Sequence, residues 1–123
     1  MRMLVCGGRN YNDWQQLDAT LSQIKQTQGW DDDPIELVIH GGAQGADEMA
    51  GEWANDHDVE TLVFPADWQT YGRQAGMIRN QQMLDEGQPD LVVAFPGGRG
   101  TANMVQRAEE AGVPVITIDP LPL

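Results

Sequence analysis

Three glycine-rich segments contain the residue types and spacings that could support chemistry in this chain. They read Gly7-Gly8-Arg9, Gly41-Gly42-Ala43-Gln44-Gly45-Ala46-Asp47 and Pro96-Gly97-Gly98-Arg99-Gly100-Thr101, and each follows a short apolar run. Glycines let backbone amides approach a ligand closely, and a helix N-terminus presents free N–H groups with a partial positive charge. Three such segments together favour a phosphate-containing ligand, whereas a single one would more simply provide a turn between a strand and a helix.

The basic residues favour the same kind of ligand. The chain contains seven Lys and Arg residues, and those in the glycine-rich segments or in segment 65–80 are Arg9, Arg73, Arg79 and Arg99. An arginine can bind a phosphate through two parallel hydrogen bonds, so these side chains could complement glycine amides around an anion. The motifs G-x-x-x-x-G-K-S/T and G-x-G-x-x-G at the first strand are absent, which argues against a P-loop NTPase and an NAD dehydrogenase.

Segment 65–80 is long for a connection in so short a chain, and such segments often act as binding loops or lids. Its residues Trp68 and Tyr71 could stack on a base, while Arg73, Arg79 and Asn80 could face phosphate or ribose. The alternatives for this segment are a packed surface loop or a contact between subunits.

Composition excludes several other classes of protein. The 123 residues include nineteen acidic and seven basic side chains, which gives a net charge of −12 and argues against partners such as a nucleic-acid polymer or a membrane surface. Cys6 is the single cysteine, and no Cys/His cluster has zinc spacing, so we expect no metal and no resident cofactor. The start lacks a signal peptide and no apolar run could span a bilayer, so we expect a cytoplasmic protein.

Continuous apolar runs predict five parallel strands, each covered on both faces. The runs are Met3–Cys6, Ile35–His40, Thr61–Phe64, Leu91–Phe95 and Val113–Ile118, with helical spacing of apolar residues between them. This alternation predicts an α/β fold in which residues 1–123 form one domain with a doubly wound parallel sheet. The expected strand order is 3-2-1-4-5 with helices on both faces, which makes the loops after strands 1, 2 and 4 neighbours.

Four blocks of the sequence carry a resemblance to a known family. They are Cys-Gly-Gly-Arg-Asn-Tyr-Asn-Asp at 6–13, Gly-Gly-Ala-Gln-Gly-Ala-Asp at 41–47, Ala-Asp-Trp through Met-Ile-Arg-Asn at 66–80, and Phe-Pro-Gly-Gly-Arg-Gly-Thr-Ala-Asn-Met at 95–104. Together they resemble the YspA, cpYpsA-related branch of the SLOG superfamily, which also includes LOG-type phosphoribohydrolases and DprA-like proteins. The resemblance implies a Rossmann-like fold, a nucleotide or nucleotide-derived ligand, and a homodimer or higher homo-oligomer.

Two features depart from the LOG pattern. The family's arginine follows a methionine by three residues, whereas Arg79 follows Met77 by two. LOG-type enzymes have a glutamate three residues after the threonine of Pro-Gly-Gly-x-Gly-Thr, and this chain has Met104 there. Thr101 is predicted to cap the following helix, so residue 104 lies about one turn in, where the resemblance implies that a glutamate would reach the ribose. Methionine cannot position water for cleavage of an N-glycosidic bond, so any hydrolysis would need Asp47 or Asp67. On this view, Met104→Glu could introduce a trace of activity.

Three function hypotheses follow. The first is a protein that senses, carries or sequesters a nucleotide-derived molecule, such as a nucleotide or an ADP-ribose-like compound. The second is a phosphoribohydrolase-like enzyme in which Arg79 holds phosphate and Asp47 acts on ribose or water, and the third is a non-catalytic protein-interaction module. The predicted ligand-binding residues are Gly7, Gly8, Arg9, Gly42, Gly45, Asp47, Trp68, Tyr71, Arg73, Arg79, Asn80, Gly97, Gly98, Arg99, Gly100 and Thr101.

Overall fold

A computed structural model describes residues 1–27 and 34–120. Strands and helices alternate along these ranges, and a 3₁₀ turn at Gly72–Gln74 joins the third helix to the fourth. The elements are β1 (Arg2–Cys6), α1 (Trp14–Thr27), β2 (Leu37–His40), α2 (Ala46–Asp56), β3 (Glu60–Val63), α3 (Trp68–Tyr71), α4 (Ala75–Gly87), β4 (Leu91–Ala94), α5 (Arg99–Glu110) and β5 (Val115–Thr117).

The strands form one parallel sheet in the order β3-β2-β1-β4-β5. In its centre Leu4 of β1 lies opposite Ile39 of β2 and Val92 of β4. The predicted α/β, Rossmann-like fold and its strand order are therefore confirmed. Since the chain reverses its direction of winding between β1 and β4, a ligand crevice is expected at the carboxyl ends of these two strands.

Helices cover both faces of this sheet, because side chains alternate between the faces along each strand. Met3 and Val5 pack with α1 and α2, and Trp53 of α2 is fully buried in that layer. Leu4 and Cys6 face the other way and pack with α4 and α5. The two layers hold the carboxyl ends of the central strands in fixed positions.

The prediction that all five strands are covered on both faces is wrong for β3. This strand forms one edge of the sheet, and Glu60, Thr61 and Val63 are exposed. Leu62 is half-buried and packs against the layer of α4 and α5. An edge strand has a neighbour on one side only, so its apolar residues do not require complete burial.

Within the two described ranges, no helix combines the length and apolar character needed to cross a bilayer.

Candidate functional site

A cleft of about 700 Å³ opens at the carboxyl ends of β1, β2 and β4, and α4 and α5 form its side. It brings together twelve of the predicted ligand-binding residues: Gly7, Gly8, Arg9, Asp47, Trp68, Arg73, Arg79, Asn80, Gly98, Arg99, Gly100 and Thr101. Cys6, Ala43, Gly76, Met77, Met83 and Asn103 also line it. A volume of this size is typical of sites for small organic ligands.

Positive charge is concentrated in this cleft although the chain has a net charge of −12. Its lining contains Arg9, Arg73, Arg79 and Arg99, and Asp47 is the acidic residue among the described residues that line it. No hydrogen bond or ion pair joins the Arg73 or Arg99 side chain to another residue in ranges 1–27 and 34–120. The Arg9 guanidinium lies 5.5 Å from the centroid of the Trp68 ring. Three guanidinium groups are therefore available to an anion.

Arg79 is held more firmly than the other three arginines. Its Nη1 donates to the carbonyl of Gly41 at 2.7 Å and to that of Phe64 at 3.5 Å, and its Nε donates to Oδ1 of Asn80 at 3.2 Å. Burial lowers the pKa of Arg79, and the nearby Asp47 carboxylate opposes that shift. The group still stays protonated at neutral pH, since a guanidinium keeps its charge in proteins. The contacts present a fixed, half-buried cation to the cleft.

Asp47, in the first turn of α2, is 6% exposed. Its Oδ2 accepts hydrogen bonds from the backbone N–H groups of Gly41 and Ala43, each at 3.2 Å. Burial raises the pKa of Asp47, and these hydrogen bonds and the charges of Arg79 and Arg9 limit that rise. No fully buried side-chain oxygen or nitrogen in the described ranges lacks a partner, and no described donor reaches Oδ1. That oxygen is therefore not fully buried, and because Asp47 lines the cleft it is an acceptor that a bound molecule could use.

Gly41 lies between the side chains of Arg79 and Asp47. A Cβ atom placed at Gly41 would contact Nη1 of Arg79 and would approach its Cζ to 2.7 Å and Oδ2 of Asp47 to 3.0 Å. The absence of a side chain at this position is thus required for the two charged groups to approach the same backbone. Sequence reasoning placed Gly41 in a glycine-rich segment without assigning it a role in the site.

The helix at the other side of the cleft, α5, begins at Arg99, and Gly98 precedes it. Its first intrahelical hydrogen bond runs from Ala102 to the carbonyl of Gly98 at 3.0 Å. The amides of Arg99, Gly100 and Thr101 consequently have no carbonyl of the same helix to bond and carry its positive dipole end. The prediction that Thr101 caps the helix is wrong, because the helix starts two residues earlier.

Residue 104 does not reach the cleft. Met104 is fully buried on the inner face of α5, in the same layer as Leu4, Cys6 and Met83. The expectation that a glutamate at position 104 would reach a ribose is therefore wrong for this chain, since this position lies on the face of α5 that packs against the sheet.

Asn103 takes the place in the cleft that was expected for residue 104. Its Oδ1 accepts hydrogen bonds from Nδ2 of Asn80 at 3.1 Å and from Nε of Arg107 at 2.9 Å. Asn80 is 4% exposed and also donates to the carbonyl of Gly100 at 3.1 Å. The two asparagines therefore tie α4 to the first turn of α5.

Besides Met104, five residues singled out from the sequence lie outside the cleft lining. Asp67 is exposed and caps α3, where its Oδ1 accepts a hydrogen bond from Thr70 N–H at 3.1 Å. Hydrogen bonds from the side chain and from the backbone N–H of Thr70 lower the pKa of Asp67, so this carboxylate is poorly suited to donate a proton. The remaining four are Gly42, Gly45, Tyr71 and Gly97.

The positions of these four differ. Tyr71 is 48% exposed on the surface near Trp68. Gly42 and Gly97 line grooves next to the cleft. Gly45 has φ of 77°, and a Cβ there would contact the carbonyl of Gly8 and lie 2.7 Å from that of Arg9. Gly45 thus lets the loops after β1 and β2 pack together.

Cys6 lines the floor of the cleft but is 7% exposed. Burial, followed by the Asp47 carboxylate, raises the pKa of Cys6 to about 12, while the charge of Arg79 opposes this. The thiol is therefore protonated at neutral pH and is a poor nucleophile. No group of three or more metal-ligating side chains occurs among the residues that the structure describes.

His40, at the end of β2, was not singled out from the sequence. Its Nδ1 accepts a hydrogen bond from Gly42 N–H at 3.0 Å, which fixes the turn that leads to Asp47. Burial, followed by the charge of Arg79, lowers the pKa of His40 below its ordinary value of 6.5. The folded protein therefore holds this imidazole neutral where the unfolded chain would protonate it.

His40 is expected to make the fold less stable in mild acid. Its contribution is complete above the ordinary histidine pKa of about 6.5 and is lost as the pH falls toward the lower pKa of the folded state. His40→Asn keeps an acceptor near the Nδ1 position and removes the titration. Urea unfolding between pH 7 and pH 5 should show a shallower fall of the unfolding free energy in His40→Asn, by at most about 1.4 kcal/mol per pH unit. Parallel curves for the two proteins would contradict this.

Two comparisons with known proteins show what this chain is similar to. The model of the YspA, cpYpsA-related SLOG family matches residues 1–71. The "Gene 61 protein" of Mycobacterium phage D29 is 35% identical over 130 aligned residues, which cover 98% of each chain. The match with the family model covers more than half of the chain and includes the first two glycine-rich segments. The protein belongs to the YspA, cpYpsA-related SLOG family.

Proposed function

We propose that this protein binds a nucleotide-derived small molecule in the cleft, and thereby senses, carries or sequesters it. The observation that carries the proposal is the clustering of Arg9, Arg73, Arg79 and Arg99 around one cavity of a strongly acidic chain. The net charge does not prevent anion binding, because exposed charges are largely screened beyond about 8 Å at physiological salt. Membership of the SLOG family supports a nucleotide-related ligand.

The phosphate of such a ligand would lie at the N-terminus of α5. There the free amides of the first helical turn and the unpaired guanidinium of Arg99 would act together on the anion. The base would pack against the exposed ring of Trp68 and the side chain of Met77, which form an apolar part of the lining. The Oδ1 atom of Asp47 would accept a hydrogen bond from a ribose hydroxyl.

Two substitutions at the phosphate position test this proposal. We expect Arg99→Ala to weaken binding of AMP or ADP-ribose about 10- to 150-fold, the equivalent of one charge-assisted hydrogen bond at about 1.5–3 kcal/mol. We expect a loss of similar size in Gly98→Val, because its side chain would occupy open space where the phosphate would lie. Both should fold, because Arg99 is exposed and a Cβ at Gly98 meets nothing within 4 Å. Isothermal titration calorimetry measures the affinities, and circular dichroism checks the fold.

Lys25→Ala is the matched control for Arg99→Ala, since it removes one positive charge from an exposed position on α1, outside the cleft. It should bind as the unmodified protein does. Unchanged affinity in both cleft variants would place the binding site elsewhere. A protein that binds no ligand of a panel containing nucleoside monophosphates, ADP-ribose and NAD would instead favour the protein-interaction module.

Asp47 supports a second candidate function, that of a phosphoribohydrolase-like enzyme. Its raised pKa and its open Oδ1 atom are properties of a general acid or base. Chromatography of AMP and ADP-ribose incubated with the protein distinguishes the two functions, since a binder releases no ribose 5-phosphate. Release above about 1 per second, abolished by Asp47→Asn, would favour the enzyme. Asparagine can still accept the two backbone hydrogen bonds, so loss of activity would report the acid itself.

A further inference from the structure

A second cavity adjoins the cleft across the carboxyl ends of β1 and β4. This groove has a volume of about 620 Å³ and shares Gly8, Arg9 and Gly98 with the cleft. The cleft extends over α4 and α5, whereas the groove extends over the start of α1, with Tyr11 and Gln16 in its wall. The two cavities therefore lie on opposite sides of the crevice between the loops that follow β1 and β4.

The passage between the two cavities consists of backbone. The N–H group of Gly8 donates to the carbonyl of Pro96 at 2.9 Å, which brings the two loops together. A Cβ at Gly8 would come within 3.1 Å of that carbonyl and of the Cα of Gly97, so the close contact favours glycine. A Cβ at Gly98 would meet nothing within 4 Å. A molecule can thus extend from one cavity to the other without displacing a side chain at Gly98.

The charge at this passage suits a phosphate bridge. Arg9 borders both cavities, and Arg99 follows Gly98 at the start of α5. Neither guanidinium forms a hydrogen bond or an ion pair with another residue of ranges 1–27 and 34–120. A phosphate or pyrophosphate that crosses above the two glycines would meet both cations and the free amides of α5.

The groove wall combines polar side chains with apolar surface from Pro96 and Pro120. The Tyr11 ring packs against Phe95 with 5.3 Å between centroids, and its hydroxyl donates toward Gln16 Oε1 at 2.7 Å, so this wall is fixed. Asn10 and Asn12 are exposed at the rim, and their side chains offer donors and acceptors. These side chains can form hydrogen bonds with the hydroxyl groups of a sugar, and the apolar surface can pack against its carbon atoms.

We infer that the ligand extends through both cavities. One end is a nucleoside in the cleft, and the other is a polar, sugar-like group in the groove. A phosphate or pyrophosphate above Gly8 and Gly98 joins these two ends. This inference rests on the proposed function and narrows its ligand class from nucleotides in general to phosphate or pyrophosphate esters with a second substituent. A plain nucleotide would occupy the cleft and leave the groove to solvent.

ADP and ADP-ribose form the matched pair of probes, because they share the adenosine and the pyrophosphate and differ in the second sugar. Calorimetry should show ADP-ribose binding at least 10-fold more tightly than ADP, although ADP carries more negative charge. Asn10→Trp places a large ring at the groove and should reduce the affinity for ADP-ribose to that for ADP, with ADP unaffected. Gln106→Trp, at an exposed position of α5 outside both cavities, should change neither affinity.

The outcomes separate this inference from the proposed function. Equal affinities for ADP and ADP-ribose, or a loss in Asn10→Trp that is the same for both, would overturn the two-ended ligand while binding in the cleft stands. Absence of binding by both probes at millimolar concentration would overturn the proposed function and the inference together.

Discussion

Met104→Glu is expected to lower the free energy of unfolding by about 4 kcal/mol or more and to create no hydrolase. Met104 is fully buried among apolar side chains of β1, β4, α4 and α5. Loss of a buried methionine side chain alone costs about 2–5 kcal/mol. The new carboxyl group would also lose its hydration without gaining a hydrogen-bond partner, and burial would keep it protonated.

Urea unfolding followed by tryptophan fluorescence measures this effect. Met104→Leu is the control for shape, since a volume-conserving apolar exchange usually costs less than about 1.5 kcal/mol. A stable Met104→Glu protein that releases ribose 5-phosphate from AMP would mean that residue 104 reaches the cleft, contrary to the packing of α5.

Gly41→Ala is expected to weaken ligand binding about 100-fold while the fold survives. The added methyl group would collide with the guanidinium of Arg79 and press on Oδ2 of Asp47. These atoms are the ends of side chains, so they can move aside without moving the backbone. The movement would, however, break the hydrogen bond from Arg79 to the Gly41 carbonyl and turn both charged groups away from the cleft. A loss of about 2.7 kcal/mol in binding corresponds to this factor.

Calorimetry with ADP-ribose and thermal unfolding test the two halves of this expectation. Gly76→Ala is the matched control, because it adds the same methyl group to the cleft lining and meets only Trp68, at an ordinary distance of 3.5 Å. It should bind within about threefold of the unmodified protein. Full affinity in Gly41→Ala would show that the positions of Arg79 and Asp47 do not matter for the ligand.

The order of the strands could be predicted because local patterns determine it. Runs such as 91–94 are apolar at every position, which requires cover on both faces, and glycine-rich segments follow β1, β2 and β4. Parallel strands with right-handed crossovers leave few alternatives once these runs are recognised. The same pattern predicted that the loops after β1, β2 and β4 are neighbours, and it thereby predicted the location of the cleft.

The direction in which individual side chains point from a helix was harder to predict. Asn103 and Met104 are adjacent in sequence, and their helix begins two residues before the threonine expected to cap it. A signal was present, since Met104 precedes the buried Ala108 by four residues and so shares its side of the helix. Met83 likewise follows Arg79 by four residues, which could have placed it in the cleft lining. The role of Gly41 depends on two side chains distant in sequence, and no local pattern encodes that.

The burial of Cys6, the single cysteine, makes the protein convenient for site-specific labelling. Because the thiol of Cys6 is buried and stays protonated at neutral pH, maleimide dyes should react with it slowly. Tyr71→Cys would introduce an exposed thiol between Trp68 and Arg73, both of which line the cleft. A fluorophore attached there could report ligand binding through its emission, and Cys6 would not first have to be replaced.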